Sequence, residues 1–364
     1  MLLKNLLNFF EQIAPEMLQE DYDNCGLQIG LPNQEVSKGL ICLDVTSQVI
    51  SEARTKGCDL IISHHPLIFK GLKRISDQSD TEIIVREAIQ CGIAIVSLHT
   101  NFDKVYQGVN LALGQKLGLQ NLKILDPQKG SLRKLVTFCP TSHVDAVRRA
   151  MFDAGAGKIG DYDSCSFNTE GTGTFKAGMQ ASPFVGTKHE LHFESEVKIE
   201  SIVPAWLLGN VVKAMIESHP YEEVAYDIYM LENKYPEAGF GMIGEFEIPL
   251  PEHDFLELVK NTLQIPYLRH SSFCKKNIER VAICGGSGSF LLPKAMSQNA
   301  HALVTAEIKY HQFFEASKKI LLVDAGHFET EQFAVDYLYN IVNKKFSTFA
   351  LLKSGVNTNP VCYF

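Results

Sequence analysis

Histidines and carboxylates fall together at three places in this chain. His64 and His65 stand side by side ahead of Pro66, and His99 and Asp103 share the stretch Ser97-Leu-His-Thr-Asn-Phe-Asp103. Asp324, His327 and Glu331 gather near the C-terminus. Neutral imidazole and carboxylate are the donor types that hold borderline and hard divalent cations. If a helix begins near Phe328, His327 and Glu331 stack one turn apart on a single face. Taken together, His64, His65, Asp103, His327 and Glu331 supply three imidazoles and two carboxylates. That set overfills one four-coordinate ion but suits two ions about 3.5–4 Å apart, bridged by a carboxylate and a water. The excess positive charge would be met by a bridging hydroxide and an anionic substrate such as a phosphate. Capping or surface roles would account for each cluster separately, but not for its recurrence after three strands.

The elements that must position these groups are short apolar runs. Gly39–Asp44, Asp59–Ser63 and Gly92–Ser97 read as strands covered on both faces, with helices at Asp80–Cys91 and Val109–Leu117. His64 and His99 lie just past two of these strands, and His327 just past a strand at Lys319–Val323. In wound α/β sheets ligands bind beyond the carboxyl ends of strands. The rhythm breaks at Asp126-Pro-Gln-Lys-Gly130. Strands at Lys134–Cys139, Cys165–Phe167, Glu196–Val203 and Glu223–Leu231, with helices at Ser142–Ala154 and Ala205–Ser218, follow the βαββαβ order of a ferredoxin-like domain. After Asn233–Gly239 the α/β pattern returns, with strands at Arg280–Cys284 and Ala302–Thr305 and helices at His253–Leu263, Phe290–Ser297, Lys309–Lys318 and Thr330–Val342. The fold class is therefore α/β: a first lobe over 1–130, an inserted domain over 131–236 and a second lobe over 237–364.

Composition narrows the function classes. The 364 residues are 45% hydrophobic and 21% charged, enough for buried cores in two or three domains. A net charge of −8 speaks against nucleic acid or an anionic membrane as the main partner. No apolar run approaches the ~20 residues that span a bilayer. The N-terminal stretch, with Leu2, Leu3, Leu6, Leu7, Phe10 and Ile13 at helical spacing and Glu11 interrupting it, reads as an amphipathic helix rather than a signal peptide. Nine scattered cysteines without a paired CxxC fit a reducing cytoplasm.

Asp23-Asn-Cys-Gly-Leu-Gln-Ile-Gly30, Ile62-Ser-His-His-Pro66, His99-Thr-Asn-Phe-Asp103 and Gly326-His-Phe-Glu-Thr-Glu331 resemble the dinuclear-metal-centre family. That family is also termed NIF-three-like, and its bacterial members are called GTP cyclohydrolase I type 2 homologues. The resemblance runs in order through nearly the whole chain. It implies two divalent ions (zinc, iron or manganese) on the same five residues, a cleft between two similar lobes, and a homohexameric ring. The insert resembles a PII-like or CutA-like domain, chiefly at His219-Pro-Tyr-Glu-Glu-Val-Ala-Tyr-Asp227.

The expected activity is metal-dependent hydrolysis of a nucleotide-like or phosphorylated small molecule. Glu331 and His99 are the candidate catalytic residues. Asp103 and Glu331 would hold or bridge the ions, and His99 would either support a ligand or carry a proton, unless it merely caps a strand end. The family name implies opening of a guanine nucleotide's imidazole ring, and phosphoester hydrolysis fits the ligand set equally. The alternative is a non-catalytic metal-binding regulatory or assembly protein whose PII-like insert binds effectors or partners. Asn24 and Gln28 could line the cleft or form a turn. The Gly-rich segment Ile283–Ser289 could cradle a phosphate, but it lacks a P-loop lysine and reads better as a tight strand–helix turn. Glu307, Lys309 and His311 follow another strand near the cleft, and Asp324 and Glu329 are carboxylates left outside the ligand set.

Overall fold

The computed structural model describes residues 1–362, in two compact units: 1–127 with 237–362, and 128–236. The first unit contains two sheets. One runs Gly26–Ile29, Ala94–Ser97, Leu60–Ser63, Lys38–Cys42 and Ala350–Lys353 in spatial order. Its strands are parallel except for Gly26–Ile29, which is antiparallel to Ala94–Ser97. The other sheet runs Arg269–His270, Leu321–Asp324, Ala302–Ala306, Ile278–Ser287, Tyr235–Leu250 and Gln120–Gln128. Its three central strands are parallel. The sheets do not follow chain order at their edges. Ala350–Lys353 closes the sheet built from the first hundred residues, and Gln120–Gln128 closes the sheet built from the C-terminal segment.

The apolar runs behave as two-sided burial requires. Every residue of Leu60–Ser63, Ala94–Ser97 and Leu321–Asp324 is buried. Leu40, Ile61 and Ile95 pack with Val49 and Ile50 of the helix Ser47–Thr55 and Ile84 and Ala88 of the helix Asp80–Gln90. In the second sheet Val281, Ile283, Val304 and Val323 pack against Phe255 and Val259 of the helix Glu252–Leu263. Truncating any of these large side chains to alanine would cost about 2–5 kcal/mol, because such a core relaxes only partly. The N-terminal helix spans Leu3–Ile13 and buries Leu3, Leu6, Phe9 and Phe10. Leu2 lies outside the helix and is exposed, so Phe9 takes the place on the buried stripe that the spacing gave to Leu2. Among the described residues no helix is long and apolar enough to cross a membrane.

The second unit has one antiparallel sheet, in spatial order Ser166–Lys176, Leu191–Pro204, Leu132–Pro140 and Tyr226–Leu231. The helices Val144–Asp153 and Leu208–Ser218 cover one face through Val147, Met151, Val211 and Met215, which meet Leu135, Cys139, Val197 and Ile199. Element order and strand order together are those of a split βαβ fold.

Candidate metal centre

The site forms where three buried strands of the first unit end. Leu60–Ser63 delivers His64 and His65, Ala94–Ser97 leads into His99 and the short helix Thr100–Lys104 that carries Asp103, and Leu321–Asp324 leads into the helix His327–Glu331. His327 opens that helix and Glu331 closes it, so both side chains project from one face. His65 Nε2 lies 3.0 Å and His327 Nε2 3.1 Å from Glu331 Oε2. His64 Nε2 is 3.8 Å from the same oxygen and 3.6 Å from Asp103 Oδ1.

Each imidazole is held by its other nitrogen. Nδ1 of His64 meets the Leu98 carbonyl at 2.8 Å, that of His65 meets Asp44 Oδ1 at 2.7 Å, and that of His327 meets Glu307 Oε1 at 3.0 Å. A carbonyl or carboxylate can only accept, so Nδ1 carries the proton and the neutral ring keeps its lone pair on Nε2. This is how metal-ligating histidines are oriented. Glu307 has φ 58°, a left-handed backbone uncommon for glutamate, and the carboxylate it presents holds His327.

Three buried atoms converge in the site: His64 Nε2 and Asp103 Oδ1 have no hydrogen-bond partner, and Glu331 Oε2 has none once the His65 and His327 rings are neutral and turn Nε2 lone pairs toward it. Stranding a buried polar atom costs about 1–3 kcal/mol, more for a charged one, so such atoms are rarely left to converge without a ligand. Their donor types also fit a divalent cation. The ligand atoms of His65, His327 and Glu331 lie within 4.8 Å of one another, as do those of His64, Asp103 and Glu331. Glu331 belongs to both groups. A third group joins His64, His65 and His99.

The electrostatics are those of a site short of positive charge. Burial works against protonating His65, but hydrogen bonds to Asp44 and Glu331 outweigh it and lift its pKa to about 10. The same opposition, with Glu331 as the main partner, lifts His327 to about 9. Burial and the Glu331 charge push Asp103 upward. Burial would raise Glu331 too, yet contacts with His327, His64 and His65 hold it well below the ordinary carboxylate range.

His99 stands at the N-cap position of the helix Thr100–Lys104, where its carbonyl accepts from Phe102 and Asp103, but its side chain makes no cap to that helix. Its Nδ1 lies 2.8 Å from Asp23 Oδ1, and its ring stands edge-on to His64 and His65 at 5.4 and 5.3 Å. Asp23 also accepts the Thr100 N–H, so this carboxylate both caps the helix and aims His99. Asn24 and Gln28 bond each other and the backbone of Ile68, fixing a turn. In the Gly-rich segment the N–H groups of Gly285, Gly286 and Gly288 donate to Asn110, Thr330 and Thr305, which leaves them none for a phosphate. Gly286 has φ 59°, and a Cβ there would collide with Glu331 Oε1, so glycine keeps the carboxylate in place. Asp324 pairs with Arg269 and accepts from the Ile308 N–H, while Glu329 accepts from Asn359. His311 is exposed and Lys309 precedes the helix Tyr310–Ala316. A cleft of about 530 Å³ adjoins His65 and His327, with Tyr267, Arg269 and Asn359 among its walls.

Sequence reasoning missed the groups that aim the imidazoles, Asp23, Asp44 and the Leu98 carbonyl. Asp44 could have been found by the strand-end rule that found His64, since it terminates the run Gly39–Asp44. Asp23 follows no strand, and only its place in the quoted motif marked it.

A Bacillus cereus protein related to NIF3 has the same fold with a TM-score of 0.87 and 36% identity, covering 100% of this chain and 99% of that one. A Halalkalibacterium halodurans protein named GTP cyclohydrolase 1 type 2 homolog is 37% identical over 365 residues, 99% of this chain and 98% of its own length. A Bacillus subtilis protein of the same name is 34% identical over 99% of this chain and 98% of its own length. The family model described as Duf34/NIF3 (NGG1p interacting factor 3) matches residues 1–360. With that match over nearly its whole length, the chain belongs to the Duf34/NIF3 family.

Proposed function

We propose that the chain holds two divalent ions, one on His65, His327 and Glu331 and one on His64, Asp103 and Glu331, and is a metal-dependent hydrolase. The observation that carries this reading is the convergence of the unpartnered His64 Nε2 and Asp103 Oδ1 on Glu331, which is common to both donor groups. Zinc, iron and manganese all suit three imidazoles and two carboxylates. Ions at these positions would supply Lewis acidity and a water acidic enough to attack near neutral pH.

The protein's own groups would do the rest. Asp44, Glu307 and the Leu98 carbonyl keep each Nε2 aimed, and Asp23 aims His99 so that its Nε2 can take or return the proton of the attacking water. The adjoining cleft would hold a nucleotide-like or phosphorylated substrate, in line with the relatives named GTP cyclohydrolase 1 type 2 homolog. We further propose a PII-like or CutA-like character for the insert, a homohexameric assembly and a cytoplasmic location. The other reading, a metal-binding regulatory protein, is favoured by the insert: a domain of its own that contributes none of the five ligands.

The test is metal content per chain by elemental mass spectrometry on protein purified without chelating tags. About two equivalents, lost in Glu331→Ala, supports the paired site. Turnover of nucleotides or phosphoesters that disappears on chelation and in Glu331→Ala separates the hydrolase from the binding protein. Metal content below about half an equivalent after anaerobic reconstitution would end the dinuclear reading.

A further inference from the structure

The insert contains a cavity of about 680 Å³ on the sheet face opposite its helices. Its size falls in the range of small-molecule sites, about 300–1,000 Å³. The register explains why it is open. Gly171 pairs with Glu196 and Gly173 with Glu194, so two glycines stand where side chains would cover the central strand. A Cβ at Gly173 would collide with Glu196 Oε2, whereas one at Gly171 would meet open space. The walls are aromatic. Tyr221 lies 6.2 Å from Phe175 and 6.3 Å from Phe184, ring centre to ring centre, and Phe138 also lines the cavity.

The polar groups are mostly acidic. Glu170, Glu196, Glu222 and Glu223 line the cavity against Lys176 and Lys198, and Lys198 is engaged by Glu200 at 3.3 Å. Glu196 is the best-held of the four. Tyr221 donates its hydroxyl to Glu196 Oε1 at 2.8 Å, and Oε2 is the oxygen that lies over Gly173. Tyr221 is in turn fixed by its own N–H, which donates to Nδ1 of the buried His219, while His219 Nε2 donates to the Phe138 carbonyl. An anchored carboxylate amid aromatic faces is the chemistry that receives a cation on a flat apolar body.

We infer that this cavity binds an organic ammonium ion carried on an aromatic or similarly flat body, with Glu196 receiving the ammonium group and the rings of Phe175, Phe184 and Tyr221 stacking on its body. This site is separate from the proposed metal centre, and its occupant need not be that centre's substrate.

The probe is tryptamine, compared by calorimetry with its neutral analogue tryptophol on the full metal-loaded chain. Tryptamine is expected to bind about tenfold more tightly than tryptophol, and Glu196→Gln to remove that difference while leaving tryptophol unchanged. Glutamine can still accept the Tyr221 hydroxyl, so the variant keeps the wall intact. Equal affinities, no tryptamine binding up to about 5 mM, or a Glu196→Gln variant that still prefers tryptamine would overturn the proposal. So would a cavity filled by a second copy of the chain, seen as tryptamine binding only where dilution dissociates the protein.

Discussion

Two buried histidines, one in each unit, define opposite uses of the same side chain. His219 of the insert has both nitrogens occupied, one by the Phe138 carbonyl and one by the Tyr221 N–H. Burial lowers its pKa, so the ring is neutral and acts as a strut. His64 is just as deeply buried, but only Nδ1 is occupied, by the Leu98 carbonyl. Its Nε2 has no partner and faces the equally unpartnered Asp103 Oδ1 at 3.6 Å and Glu331 Oε2 at 3.8 Å. The lesson is that burial alone does not distinguish a structural histidine from a candidate ligand. The state of the second nitrogen does.

The sharpest way to break this comparison is Glu331→Ala. It removes the oxygen shared by both donor groups, and metal content should fall from about two equivalents to near zero. Ions retained in that variant would mean Glu331 is not the bridge. His219→Ala should show the converse, with metal content unchanged. It leaves a carbonyl and an N–H unpaired in the insert, and urea unfolding of that unit should register about 2–4 kcal/mol of lost stability. His64→Ala in metal-free protein should cost less, because it also removes an unpartnered atom.

Smaller effects test the groups behind the ligands. Asp44→Asn should weaken metal binding about 10–100-fold in chelator competition, since it loosens His65 without removing a ligand. Acidity sharpens the contrast further. In the metal-free protein His327 and His65 titrate at about 9 and about 10, so both are protonated at neutral pH. A metal needs the neutral rings and must expel those protons. Affinity should therefore climb as pH rises toward about 9, with proton release measurable at pH 7 in weakly buffered solution. A pH-independent affinity would mean that the rings are already neutral.

Much of the candidate metal region was legible because its strands are short, wholly buried and apolar. The rule that ligands gather beyond strand ends then pointed to His64, His65, Asp103, His327 and Glu331 without any contact being known. The edges were not legible. Gly26–Ile29 and Gln120–Gln128 are partly exposed and lack a continuous apolar run, and the sheet that takes up Ala350–Lys353 lies some three hundred residues away in the chain. In the insert two strands were read at one end only, as Cys165–Phe167 and Glu196–Val203, where the structure has Ser166–Lys176 and Leu191–Pro204. Ser166–Lys176 and the first half of Leu191–Pro204 are mostly exposed, and Gly171 and Gly173 interrupt any alternation. The cavity they frame could not be read from sequence, because it depends on which residues pair across the sheet.

Anomalous diffraction from crystals grown with added manganese or zinc tests the central claim most directly. The account predicts two peaks about 3.5–4 Å apart, one against His65 and His327 and one against His64 and Asp103, with Glu331 touching both. A single peak, or two that do not share Glu331, would contradict it.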